Sequence, residues 1–339
     1  MEITELNKEN EQLWDEYVLK SNQSTFYHQL GWRNVVQKTY GHKPIYLVVK
    51  EDDEFKGILP LFLMKSRIFG KKLVSVPFAP YGGVCADSEE VERTLVEEAK
   101  GITDEFDVDY LELRYMGREN NSYLVTNNKY TTFILELNKD PDVVWRNKFN
   151  NKVRNAIRKS YKSNLEFVDC NLKEFYRIYT KNMKHLGTPS HSYSFFENLI
   201  KEFPRKALSS GVIHDGTTIA STFLLSFKDT LVSGWAASDK EYSMLNPNNF
   251  LYWEVIKFAC NNGYRYFDFG RSLLNSGTFR FKKPWGGENV KLYYRYYARK
   301  KIPDTTQTNP KRQKFAKIWS KMPLVLTNIV GPPLRKTVP

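Results

Sequence analysis

Two stretches of the chain carry the same hydrophobic pattern. Ile45–Lys50 and Phe55–Met64 are apolar runs around the polar turn Glu51-Asp52-Asp53-Glu54, and Gly211–His214 and Thr217–Phe227 flank Asp215-Gly216 roughly 160 residues later. Short β-branched and aromatic runs separated by acidic or glycine-bearing turns predict strand-turn-strand units. A third strand, Thr230–Ala236, follows in the second half. Each half then offers a helix and another strand: Glu89–Thr103 before Tyr110–Arg114, and Asn248–Asn262 before Tyr264–Phe269. This order, met twice, predicts an α+β protein of two related domains, each a mixed β-sheet flanked by helices. The boundaries expected from it are 1–140, 141–300 and a tail, 301–339.

Between the halves, Asp140-Pro141-Asp142 has the chemistry of a helix start, with Asp140 as cap and Pro141 in the first turn. Trp145, Phe149, Val153, Ile157 and Tyr161 recur every fourth residue and predict one amphipathic helix. Lys148, Lys152, Arg154, Arg158, Lys159 and Lys162 fall on its opposite arc. This face is either a solvated surface or a contact for tRNA, a lipid pyrophosphate or lipid headgroups.

After Lys301 the fold-like pattern stops. Pro303–Pro310 reads as a linker, and Lys311–Met322 as a second basic helix with Phe315, Ile318, Trp319 and Met322 on one side. An apolar, proline-bounded stretch follows it. A cationic helix bearing Trp and Phe predicts attachment to an anionic membrane surface; the alternatives are packing back on the body and contact with nucleic acid.

Charge sharpens this division. Of the net +13, Arg299–Pro339 carries +9 and Val143–Leu165 carries +7, leaving −3 for the rest. The body is not basic; two strips are. The three cysteines lie far apart, and the five histidines show no ligand spacing, so neither a disulfide framework nor a metal site is expected. The polar, acidic start M-E-I-T-E-L is unlike a secretory signal, and the apolar runs Gly57–Met64 and Met322–Val330 fall short of the roughly 20 residues that span a bilayer. A cytoplasmic protein, peripheral at the inner membrane face, is the expectation.

The richest chemistry lies in Gly263–Tyr297. Arg271, Arg280, Lys282 and Lys283 accompany Phe279, Phe281 and Trp285, a mixture suited to an anionic or aromatic substrate. Phe281 and Lys282 read as alternating positions of a strand, with Phe281 either stacking on substrate or packing in the core. Arg271, after the turn at Gly270, is placed to hold a phosphate or to pair with Asp268. Asp268, between Phe267 and Phe269, is either a base or the partner that orients Arg271. P-loop, dinucleotide, zinc-protease and nucleophile-elbow motifs are absent from the sequence.

Phe267-Asp268-Phe269-Gly270-Arg271-Ser272, Ser276-Gly277-Thr278 and Phe281-Lys282-Lys283-Pro284-Trp285-Gly286 together resemble the closing motif of FemAB-like acyltransferases, members of the GNAT superfamily. Leu186-Gly187-Thr188-Pro189 and the basic run Lys152–Lys162 are similar to the same family. The likeness runs from about Gly31 to Tyr297 and is nearest to the branch associated with exopolysaccharide clusters, not to enzymes with a coiled-coil arm. It implies tandem GNAT-like domains and amide formation, in which an acceptor amine attacks an ester or thioester carbonyl. The resemblance points to aminoacyl-tRNA as donor, since the R/Q-x-x-G-x-G/A run by which other GNAT enzymes cradle acyl-CoA is missing. An acyl-CoA or acyl-carrier-protein donor, and a non-catalytic RNA- or membrane-binding role, are the competing expectations.

Carried over residue by residue, the resemblance assigns Lys282 to oxyanion or leaving-group stabilisation, with Asp268 and Arg271 beside it. Phe281, Arg280, Trp285 and Ser272 become substrate contacts. Lys184, His185 and Thr188 resemble an acceptor-binding loop, and Tyr81, in Pro80-Tyr81-Gly82-Gly83, a turn facing the substrate cleft. Where relatives acting on cell-wall precursors have Asp-Pro, this chain has Arg114-Tyr115, so Arg114 is expected to meet an anionic acceptor. The expected acceptor is an amine on a cell-envelope precursor, a lipid-linked precursor or a polysaccharide. No cofactor is expected beyond the donor, and tandem domains favour a monomer.

Overall fold

The computed structural model describes residues 1–66, 69–117, 124–299, 302 and 309–339, with only the backbone of Lys311. Most of the expected linker, 303–308, lies outside the described residues. The chain divides into two compact units: Met1–Tyr130 with Lys291–Asp304 and Lys336–Pro339, and Thr131–Val290 with Thr305–Arg335.

Strand β1 (Glu2–Glu5) and helices α1 (Glu11–Lys20) and α2 (Leu30–Tyr40) lead into β2 (Lys43–Glu51), β3 (Glu54–Ser66) and β4 (Gly70–Ser75). These three strands are antiparallel neighbours. Asp52 and Asp53 both take positive φ in the β2–β3 turn, as a tight hairpin matched to strand twist requires. After the short β5 (Cys85–Ala86) comes α3 (Glu89–Glu105), begun by the Ser88 side chain accepting from Val91 N at 3.3 Å. Glu89, Glu90 and Glu92 in its first turn suit the positive end of the helix dipole. Val91, Leu95, Ala99 and Ile102 form its buried stripe, and the helix returns the chain so that β6 (Tyr110–Met116) lies parallel to β4.

The second unit repeats the plan. Strand β7 (Val125–Glu136), helices α4 (Pro141–Asn147) and α5 (Asn151–Ser160), β8 (Leu165–Asp169), α6 (Leu172–His185) and α7 (Tyr193–Glu202) precede β9 (Ala207–His214), β10 (Thr217–Phe227) and β11 (Thr230–Ser238). Helix α8 (Pro247–Asn261) then returns the chain to β12 (Tyr266–Asp268), parallel to β11. The chain closes with β13 (Ser272–Leu273), α9 (Gly277–Lys282), β14 (Glu288–Ala298), α10 (Pro310–Trp319) and α11 (Leu324–Lys336). The expected β-β-helix-β repeat is thus present in both units, with β4 a third meander strand in the first half that the pattern did not reveal.

The expected boundary at 140/141 is corrected by the sheets. Residues 292–298 of β14 pair with β6, completing the first unit's order β1-β2-β3-β4-β6-β14. Residues 134–136 of β7 pair with β12, completing the second unit's order β7-β12-β11-β10-β9-β8. Each returning strand would otherwise leave a row of unpaired N–H and C=O groups, and each is covered by a strand from the other half of the sequence.

The single helix expected after Pro141 is broken in two. Asp140 and Pro141 start α4 as expected, but Asn150 caps α5 through its side chain, accepting from Val153 N at 3.0 Å. The Asn150 N–H donates to Pro284 O at 3.1 Å instead of continuing a helical ladder. Phe149, Val153 and Ile157 stay buried, whereas Tyr161 is half exposed.

The tail packs back on the second unit. Trp319 is buried, Lys184 Nζ donates to Ser320 O at 3.1 Å, and Arg335 Nε donates to His191 Nε2 at 3.2 Å. Helix α11 runs through Pro332 and Pro333 rather than stopping there. Gly187 explains how closely α10 approaches. Its φ is +67°, and a Cβ there would meet Ala316 O at 2.5 Å and Ala316 Cα at 2.6 Å. Gly187→Ala therefore adds left-handed strain of about 1–2 kcal/mol to a clash with main chain. We expect it to lower thermal stability and to expose α10 to limited trypsin cleavage after Lys314 or Lys317, while the body stays resistant.

Candidate active site

The second unit's core prepares the site. Phe149, Tyr252, Phe269 and Trp285 pack ring against ring, with Tyr252 stacked on Phe269 at 5.5 Å and Phe149 edge-on to Trp285 at 5.0 Å. Strand β12 leaves this core at Phe269 and turns at Gly270, where φ is +73° and a Cβ would lie 2.7 Å from Ser233 O. Only glycine fits that turn. Helix α9 begins where the Ser276 side chain accepts from Phe279 N at 3.2 Å, and ends in Lys282.

The expected strand alternation of Phe281 and Lys282 is corrected by this helix. Successive helical residues diverge by about 100°, so Phe281 turns to Tyr252 and Trp285, with centroids 5.4 and 6.0 Å away. Lys282 turns to the Gly270 bend. Its buried ammonium donates to Gly270 O at 2.8 Å and Arg271 O at 3.3 Å. Burial pushes its pKa down to about 8, against the upward pull of Asp268, with Arg271 lowering it further.

Asp268 is buried and holds the bend from within. Its Oδ1 accepts from Gly270 N at 2.7 Å and from Thr132 Oγ1 of β7. This makes it a positioning residue for the turn whose carbonyls bind Lys282. Thr132 was not singled out from the sequence, because a threonine in a strand carries no mark of what it faces. Arg271 is exposed, whereas Ser272 is buried and its Oγ has no hydrogen-bond partner. Asp268, Arg271, Ser272, Phe281 and Lys282 are therefore brought together. Arg280 is exposed beside them, donating to Asn275 O at 3.0 Å. Trp285 has no exposed surface, so it is a core residue and not the substrate contact expected.

The remaining candidates lie elsewhere. His185 borders a cleft of about 400 Å³ with Lys181, Asn182 and Ser238–Glu241, which shares no residue with the Lys282 bend. Lys181 spans it, 2.6 Å from Asp239 and 3.3 Å from Glu241. Lys184 and Gly187 lie against the tail, and Thr188 follows them, its N–H donating to Met183 O. Among the described residues no group of three or more His, Cys, Asp or Glu is placed to hold a metal ion.

In the first unit, Tyr81 is buried edge-on to Tyr27 at 5.3 Å. Arg114 is buried too: Nε donates to Glu112 Oε1 at 2.6 Å, and Nη1 to Ala79 O at 2.6 Å and Val76 O at 3.4 Å. It ties β6 to the turn preceding Tyr81, which is structural work and not the anion contact expected.

Two similar halves, each a meander and a helix-linked parallel strand, make a tandem α+β fold, with a buried lysine on a Gly-Arg bend in the second. Residues 147–283 match the family model described as "Acetyltransferase (GNAT) domain", a span that includes the bend and Lys282. Within the second unit, residues 147–283 therefore match a GNAT acetyltransferase domain, and the chain as a whole shares its tandem fold with the solved structures that follow. The structure of FemX is 15% identical over 87% of this chain and 97% of that one, with a TM-score of 0.66. A tandem GNAT protein from the clavulanic acid biosynthesis pathway is 11% identical over 89% and 99%, with a TM-score of 0.55. Saccharomyces cerevisiae N-myristoyltransferase is 12% identical over 92% and 87%, with a TM-score of 0.51. No curated protein sequence matches the chain.

Two expectations follow. Arg114→Met leaves Glu112 buried without its partner, so the first unit should lose about 3–5 kcal/mol in denaturant unfolding. For Lys282, the ordinary value is 10.5 and the folded one about 8. Below about pH 8 the group is protonated in both states. Between about 8 and 10.5 only the unfolded chain keeps the proton, so stability rises with pH by up to about 3 kcal/mol. Urea unfolding at pH 7.5 and 9.5 should show this rise in the parent chain and not in Lys282→Met.

Proposed function

We propose that the protein forms an amide, transferring an acyl or aminoacyl group to an amine on a cell-envelope precursor or polysaccharide at the inner face of the cell membrane. The observation that carries this reading is the placement of Lys282. Two of its three N–H groups bind carbonyls of the bend, leaving one for an oxygen that gains negative charge during transfer. The acceptor nitrogen bonds to the carbonyl carbon and gives up a proton, the C–O or C–S bond breaks, and the leaving oxygen or sulfur takes up a proton, so no net proton is consumed. An ammonium with a pKa of about 8 suits that donation near neutral pH. Arg271, exposed at the same bend, is suited to a phosphate of the donor.

Aminoacyl-tRNA is the donor we favour. Lys152, Arg158, Lys159 and Lys162 are exposed on and just beyond α5, within the basic stretch that contains no acid, a surface suited to a phosphate backbone. A second reading, an acyl-CoA donor, draws support from the acetyltransferase description of the matching family and from the neighbour solved with bound myristoyl-CoA. The expected test result is that Lys282→Met lowers transfer in purified assays by about a hundredfold or more, with its thermal transition at pH 7 retained. Unchanged turnover overturns the assignment. Ribonuclease treatment that stops transfer in extract identifies charged tRNA, whereas transfer restored by acyl-CoA alone identifies the second donor.

A further inference from the structure

Helix α11 is amphipathic in the inverted sense. Thr327 and Gly331 face the body, Gly331 so closely that a Cβ would lie 3.2 Å from Ser190 Oγ, and Arg335 reaches inward to His191. The opposite face is apolar and open to solvent: Val325 is 69% exposed, Ile329 65%, Leu326 47% and Val330 40%. A helix serving only to close the fold would bury these residues and expose the polar ones. On α10, Phe315 and Ile318 are likewise exposed, whereas Trp319 is buried.

Charge indicates what covers this face. From Asn309 to Pro339 there are seven Lys or Arg and no Asp or Glu. Lys314, Lys317 and Lys321 are exposed near the apolar side chains in sequence. A second copy of the chain would set this cationic region against itself. An anionic surface with an apolar interior complements both parts.

We propose that α11 docks in the interface of an anionic bilayer, inserting Val325, Leu326, Ile329 and Val330 while the lysines of α10 and its C-terminal turn meet lipid phosphates. At 13 residues the helix is about 20 Å long and lies in the plane, and among the described residues no helix is long and apolar enough to cross a membrane. The inserting residues differ from those the sequence suggested, because the docked tail buries Trp319. This inference rests on the membrane setting proposed above and not on the acyl-transfer chemistry.

Flotation of the full chain with vesicles of phosphatidylglycerol and phosphatidylcholine tests it. The parent chain should float with these vesicles and not with phosphatidylcholine alone. Val325→Glu/Ile329→Glu should reduce the bound fraction about tenfold or more, and Lys314→Glu/Lys317→Glu should weaken binding and blunt its salt dependence. Val325→Ser/Ile329→Ser, a milder pair, should also weaken binding and provides the test if the glutamates perturb folding. Failure of the parent chain to float, or unchanged binding by the serine pair, overturns the proposal. So does a concentration-dependent dimer in sedimentation velocity that the serine pair abolishes. Turnover on a soluble acceptor is measured in parallel, so loss of docking with turnover retained is attributed to this surface alone, and loss of turnover with docking retained to the transfer reading.

Discussion

The ammonium of Lys282 organises the second unit's candidate site, and its position is costly. It is buried, which disfavours its charge, and its partners are neutral carbonyls of a single bend. Such a group persists where other interactions fix its surroundings. Asp268 secures the bend from one side, Ser233 O sits against Gly270 from another, and the aromatic cluster around Trp285 anchors the end of α9. The price of holding that cation is met by core packing, which ties the F-D-F-G-R-S turn and the F-K-K-P-W helix into one device although ten residues separate Arg271 from Lys282.

What the sequence made legible was local. The two strand-turn-strand units, the Asp140-Pro141 start and the Gly270 turn each depend on neighbouring residues, and each appears where the pattern placed it. The features that escaped depend on partners distant in sequence. Thr132 meets Asp268 across 136 positions because β7 pairs with β12, and nothing in an apolar strand states which sheet it will join. The break in the basic helix depends on Pro284 receiving the Asn150 N–H. Trp285 reads as a substrate contact in the sequence because an aromatic beside lysines looks the same whether it faces a ligand or a core. Arg114 departs from expectation for the matching reason: the strand shows a cation but not its fit to Glu112 and the Ala79 carbonyl.

The exchange of closing strands has a consequence for the chemistry. β7 carries Thr132 into the second unit's sheet, so a hydroxyl encoded before the GNAT match begins at residue 147 supports the aspartate inside it. A fragment cut at the expected boundary of 141 would lose β7, and with it both the sheet edge beside β12 and the donor to Asp268. The candidate bend therefore draws on a side chain ahead of the expected boundary, although Thr132 and the bend belong to the same compact unit.

The tail shows why the direction of amphipathicity matters more than its presence. Helices α10 and α11 both mix apolar and cationic residues, and from sequence the aromatic-bearing α10 is the stronger surface binder. Packing reverses the ranking. Trp319 is drawn into the body beside Gly331, while α11 presents its aliphatic residues outward because the residues small or polar enough to approach Ser190 and His191 lie on its other face. Close approach at Gly331 selects which face of α11 turns in, and the exposed aliphatic strip follows from that steric choice. The same contacts that dock the tail thus create its apolar surface, so docking to the body leaves the opposite face of the helix open for the bilayer contact we propose.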